Sequence, residues 1–343
     1  MNMEETVIKK IQALGFQWQT QDPFLFCVHH EDFYPNGNDI MGPDTSLAGR
    51  NIGSDFNVKD GWRMYHGSTI PGFPAHPHRG FETVTIVRKG LVDHADSLGS
   101  TGRFGFGDVQ WMTAGKGVQH SEMFPLINKE KDNPFELFQI WMNLPANKKM
   151  VEAHYKMLWS EEIPEVVQKD EEGRKSKVKL IAGSLDSIDA PSPTPDSWAA
   201  DPENHVAIWT IKMAAGASLT IPASVSGINR SLYFFKGSEI KIDNEKITAY
   251  NGIDLYPERE VVISNGDKNA QLLLLQGRPI NETVVQHGPF VMNTQAEIQE
   301  TFFEYQRTQF GGWPWPSHDF VHPREKGRFA KYANGEIEIK DGL

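Results

Sequence analysis

Short alternating runs of apolar and polar residues, broken by glycine, fill the chain from about residue 20 to 145. Glu82-Thr83-Val84-Thr85-Ile86-Val87 reads as a strand ending at Lys89-Gly90. Val109-Gln110-Trp111-Met112-Thr113 reads as another, entered through Gly105-Phe106-Gly107-Asp108 and left through the turn Gly115-Lys116-Gly117. Leu137-Phe138-Gln139-Ile140-Trp141-Met142 is a third, stopped by Leu144-Pro145. Many short strands separated by turn residues predict a sandwich or barrel rather than a helical bundle.

A charged bridge follows, and then a stretch with Pro191, Pro193 and Pro195 that reads as a surface loop. Alternation resumes at Val206-Ala207-Ile208-Trp209-Thr210-Ile211, Ser231-Leu232-Tyr233-Phe234-Phe235, Glu239-Ile240-Lys241-Ile242 and residues 271–275. This second half faintly echoes the first, so two barrels of one type are expected. Residues 294–310 change period. Thr294-Gln295-Ala296-Glu297 fits a capping box, Ile298, Phe302, Tyr305 and Gln309 keep helical spacing, and Gly311 can close the helix. The tail, with Trp313-Pro314-Trp315-Pro316 and His322-Pro323-Arg324, reads as a segment laid over a surface. The expected organisation is a barrel over residues 1–150, a second over 151–290, and a helix with an extended tail over 291–343.

Composition narrows the function. The length of 343 residues suits about two domains. A net charge of −11 argues against direct nucleic-acid binding, which leaves a basic footprint. Cys27 is the single cysteine, so no intrachain disulfide can form and a reducing compartment fits. The first twenty residues, with Glu4, Glu5, Lys9 and Lys10, have no secretory character. The densest apolar run, residues 272–275, is far too short to span a bilayer. The cytoplasm is the expected location, with the nucleus equally open to a eukaryotic protein.

Two segments carry the candidate chemistry, His76-Pro77-His78 and His120-Ser121-Glu122. Each puts two metal-binding side chains at i and i+2, on one face of a strand. Two such strands facing one interior would converge three imidazoles and one carboxylate. That donor set suits a divalent transition metal, and non-haem iron best. Glu82 shares the parity of His76 and His78 unless Gly80 introduces a bulge. The remaining histidines, His94 among them, show no ligand pairing and read as structural or solvated. Cys27 reads as a small core residue.

The wording around these residues is more specific. Pro74-Ala75-His76-Pro77-His78-Arg79-Gly80-Phe81-Glu82-Thr83 and Gly107-Asp108-Val109-Gln110-Trp111-Met112-Thr113-Ala114-Gly115-Lys116-Gly117-Val118-Gln119-His120-Ser121-Glu122-Met123 resemble the motifs of the pirin family, within the cupin superfamily. Gln139-Ile140-Trp141-Met142-Asn143-Leu144-Pro145 and Gly288-Pro289-Phe290-Val291-Met292-Asn293-Thr294 extend the resemblance. It implies an all-β fold of two cupin-type (jelly-roll) barrels packed face to face, with metal in the first only. The second half has Thr220-Ile221-Pro222-Ala223 at the comparable stretch. The implied ligands are His76, His78, His120 and Glu122, with Fe(2+) as cofactor and other divalent transition metals also suited. Glu82 is then expected to orient a ligand histidine through its free ring nitrogen. The implied activity is a quercetin 2,3-dioxygenase-type ring cleavage of a flavonol or related aromatic enol with O2, Glu122 acting as general base. The alternative is a redox-sensing iron protein that binds a transcription factor or metabolic enzyme. No nucleic acid or membrane partner is expected.

Overall fold

A computed structural model describes residues 6–340, so Glu4 and Glu5 lie outside the described residues. Strands dominate, antiparallel pairing builds the sheets of both units, and the described residues hold one α-helix, Gln295–Thr308. The all-β reading with two cupin-type barrels holds. Among the described residues no helix is long and apolar enough to cross a membrane.

The chain divides into two compact units, but not at the expected borders. One unit comprises His29–Ser160 and Glu282–Leu343, the other residues up to Val28 and Glu161–Asn281. They are called the first and second barrel here. The expected block 1–150 therefore loses its beginning, and the block 291–343 is no separate part. The physical cause is strand pairing. Ile8–Ala13 pairs with Asn251–Leu255 and becomes an edge of the second barrel's larger sheet. At the other end, Arg328–Lys331 pairs with Thr101–Gly105 and extends a sheet of the first barrel.

The first barrel is built from two sheets. One runs in the order His154–Leu158, Val109–Thr113, Phe81–Lys89, Asn133–Asn143 and Phe24–Tyr34, the last entering this unit at His29. The other runs Ile337–Lys340, Arg328–Lys331, Thr101–Gly105, Leu91–Asp96, Val118–Met123 and Gly72–His78. Several of these strands are buried along their whole length. Alternation vanishes there because both faces are covered. In the second sheet one face presents Asp96 opposite His120 and His94 opposite Glu122. The reverse face presents Asp93 opposite Arg103. The tail lies on that reverse face. The Arg103 guanidinium, fully buried, clamps the Asp93 carboxylate at 2.6 and 2.7 Å and donates to the carbonyls of His322 and Pro323 at 3.0 and 2.9 Å.

The helix forms where the capping box places it. Thr294 Oγ1 accepts from the Glu297 amide, and the Glu297 carboxylate accepts from the Thr294 amide. It stops at Gln309, which takes a left-handed φ of 51°, two residues before the expected Gly311.

The second barrel pairs a seven-stranded sheet with a four-stranded one. Its interior is aliphatic. Leu180, Ile211, Leu219, Leu232, Ile253 and Leu274 are all buried in one cluster.

Candidate metal centre

The strand Gly72–His78 carries His76 and His78, and Val118–Met123 carries His120 and Glu122. The two strands pair with His76 directly opposite His120. Period-two geometry then sets His78 on the same face as both. The three rings meet, with centroids 4.5 Å apart for His76 and His120, and 4.8 Å for His78 with either partner. One ligand nitrogen from each lies within 4.8 Å of the others.

A glycine makes this arrangement possible. The chain turns from Gly72–His78 into Phe81–Lys89 at Gly80, whose φ is +84°. A β-carbon there would stand 2.0 Å from the carbonyl oxygen of Val291, so no other residue fits.

His78 and His120 are buried, and none of their ring nitrogens has a hydrogen-bond partner of good geometry. The Pro289 carbonyl is near enough to His78 to favour its protonated form slightly, without completing a bond. Burial pushes all three imidazoles towards the neutral form. His76 is held down to about 4, chiefly by burial and against the Pro74 carbonyl, while His78 and His120 are held well below the usual histidine value by burial and by the neighbouring His76 imidazole. His76 Nδ1 lies 2.9 Å from the Pro74 carbonyl oxygen. A carbonyl can only accept, so Nδ1 carries the proton and Nε2 presents its lone pair. Neutral, convergent, otherwise orphaned imidazole nitrogens are what a divalent metal requires. Leaving each unpaired in a dry interior costs roughly 1–3 kcal/mol, so the donor set fits such an ion.

Glu122 stands beside this cage. Its Oε2 is 3.8 Å from His120 Nε2. Gln139 Nε2 donates to Oε2 at 3.0 Å, and the Thr85 hydroxyl lies 3.0 Å from Oε1. Thr85 and Gln139 are themselves cross-strand partners. Burial raises the Glu122 pKa, opposed by His94 and by these two hydrogen bonds.

Glu82 does not do what its parity predicts. Its carboxylate accepts from Trp111 Nε1 at 3.1 Å and from the Thr113 hydroxyl at 2.7 Å. The ring nitrogens of His78 and His120 make no hydrogen bond to it, and His76 Nδ1 is taken by Pro74. The parity argument fails because the turn at Gly80 ends one strand and starts another in the opposite sheet.

His94 is the residue that spacing alone passed over. Its ring centroid is 5.5 Å from that of His120, it stacks on Tyr155 at 4.7 Å, and its Nε2 lies 3.3 Å from Asp96 Oδ2. The signal was present: His94-Ala95-Asp96 repeats the i, i+2 spacing of the two ligand segments. Thr85 and Gln139 had a signal too, as polar residues inside otherwise apolar strands.

Aromatic rings line the approach. Phe81 and Trp141 meet the His78 ring edge-on at 5.0 and 5.3 Å, and Phe73 lies 6.3 Å from His76. His76, Phe73 and Trp141 are only partly buried, so the cage is open to solvent on their side.

Comparison with known proteins agrees with this geometry. Residues 7–142 match the Pirin family, and residues 208–311 match the Pirin C-terminal cupin domain. Pirin-1 of Arabidopsis thaliana is 39% identical over 249 residues, covering 71% of this chain and 80% of the relative. A pirin-like protein of Caulobacter vibrioides is 34% identical over 245 residues, covering 70% and 81%. A crystal structure of quercetin 2,3-dioxygenase from Acinetobacter baumannii superposes with a TM-score of 0.70 at 27% identity, covering 90% of this chain and 99% of that one.

Proposed function

This chain belongs to the pirin family, and we propose that it is an iron-dependent dioxygenase that opens the ring of a flavonol or related aromatic enol, as a quercetin 2,3-dioxygenase does. The observation that carries the reading is the cage of three convergent imidazoles in the first barrel, two of which, His78 and His120, have no hydrogen-bond partner on either ring nitrogen. His76, His78 and His120 would hold the metal, with Glu122 as the fourth ligand. Held there, iron(II) would offer open coordination positions and the Lewis acidity that lowers the pKa of an enol or phenol.

The chain's own residues do the rest. Glu122 would take the enol proton on the carboxylate oxygen it frees from the metal. Thr85 and Gln139 hold the carboxylate in place through the transfer. Phe81 and Trp141 pack against His78 and fix its ring, while Phe73 and Trp141 present apolar surface to an aromatic substrate and exclude water. His94 stands behind His120, its orientation set by Asp96 and Tyr155.

The test is turnover of a flavonol by anaerobically iron-loaded protein exposed to oxygen. Bleaching of the flavonol band with release of about one carbon monoxide per flavonol is the expected result. Neither signal from protein holding its full iron complement would overturn the reading and leave the redox-sensing binding role in its place.

A further inference from the structure

Among the described residues, the second barrel has one charged side chain in its aliphatic interior. Arg230 lies on the strand Asn229–Lys236, opposite Leu255 and Gln276. Its parity is that of Leu232 and Phe234, both in the core, so its side chain is aimed at the barrel's inside. It is only 2% exposed. Its Nε donates to Gln276 Oε1 at 2.7 Å and its Nη1 to the Pro222 carbonyl at 3.0 Å. Gln276 is fixed in turn, its Nε2 donating to the His205 carbonyl at 3.1 Å. These bonds orient the guanidinium without neutralising it. No carboxylate of the described residues forms an ion pair with Arg230, and Glu258 acts on it only through space. Burial holds its pKa down to about 10, still charged at neutral pH. A buried charge that is hydrogen-bonded but unpaired is costly, and a fixed, partly free guanidinium edge is the usual device for gripping a planar oxyanion.

That edge faces a cavity of about 430 Å³. Trp209, Ala207, Pro193 and Pro222 give it apolar walls, and the proline-bearing loop read from the sequence forms one side. Asp189 and Asp201 also line it. Two carboxylates lining the same cavity disfavour a doubly charged ligand and leave a monoanion as the better fit.

We propose that this cavity binds a small organic monocarboxylate, its carboxylate on Arg230 and its apolar body against Trp209. The site is separate from the metal centre and does not depend on the proposed dioxygenase reaction.

Calorimetric titration of the metal-loaded full chain with benzoate, benzamide and inorganic phosphate tests it. Benzoate should bind at about one per chain, at least about tenfold more tightly than its neutral amide or phosphate. Arg230→Gln should weaken benzoate at least about tenfold. Ala223→Trp, an exposed lining position, should do the same while leaving Arg230 in place, which covers the case that the arginine variant fails to fold. His120→Ala should leave benzoate affinity unchanged, since that variant empties only the first barrel. No benzoate binding, equal binding of benzamide, preference for phosphate, indifference to both second-barrel variants, or loss of binding in His120→Ala would each overturn the proposal.

Discussion

The first barrel keeps three imidazoles and a carboxylate where its two ligand strands meet; the second keeps one guanidinium above a bed of leucine and isoleucine. Both interiors come from the same kind of antiparallel strand pairing, His76 opposite His120 in one and Arg230 opposite Gln276 in the other. What differs is how the polar groups are satisfied. Arg230 is held by two neutral acceptors and has lost some of its basicity to burial. His78 and His120 have no such partners. An interior with orphaned, neutral nitrogens calls for a metal, whereas a hydrogen-bonded cation beside a cavity calls for an anion. One fold thus presents two different sets of polar groups through a handful of inward positions.

The comparison can be broken most sharply at His120. His120→Ala should remove the metal and bring flavonol turnover to background, as read by elemental analysis and carbon monoxide release, with the second barrel intact by hydrogen exchange. Retention of a full metal complement would mean the cage is not the site. The next effect concerns the tail, which belongs to the first barrel alone. Deleting residues 312–343 removes the carbonyl partners of buried Arg103 and the strand paired with Thr101–Gly105. The first barrel should lose on the order of 2–4 kcal/mol while exchange protection in the second is unchanged.

Acid should separate the barrels as well. In metal-free protein His76 is held down to about 4 against an ordinary value of 6.5. Between those values the unfolded chain takes up a proton that the folded one refuses. Stability is therefore full above about pH 6.5 and declines as pH falls towards about 4. With His78 and His120 held down alongside His76, protection in the first barrel should drop by at least roughly tenfold per pH unit crossed, measured with a chelator present. Arg230 stays charged across that window, so the second barrel should lag. The smallest effect is at Glu82. Glu82→Leu removes the acceptor of the Trp111 indole N–H and of one Thr113 hydroxyl bond and should cost about 1–3 kcal/mol by denaturant unfolding. Metal content should not change; a large loss of metal would restore the orienting role that its sequence position suggested.

Local signals were legible in the sequence where the chemistry is local. The capping box at Thr294 and Glu297 forms as written, and the i, i+2 histidines converge because a strand's period is two. Signals that depend on a turn or on distant pairing were not. Parity does not carry past the turn at Gly80, so Glu82 bonds Trp111 and Thr113 and not a ring of the cage. Ile8–Ala13 joins a strand more than two hundred residues away, and nothing in its own pattern states that partner. His94 was hidden because its strand, covered by the tail on its reverse face, shows no alternation that would mark an inward side.

The central claim is that the first barrel alone holds the metal, on His76, His78 and His120. Anomalous diffraction at the iron edge from crystals of anaerobically iron-loaded protein tests it most directly. The account predicts a single peak per chain, within about 2.0–2.2 Å of one nitrogen from each of the three rings. A peak in the second barrel, or none between these rings after loading, would contradict it.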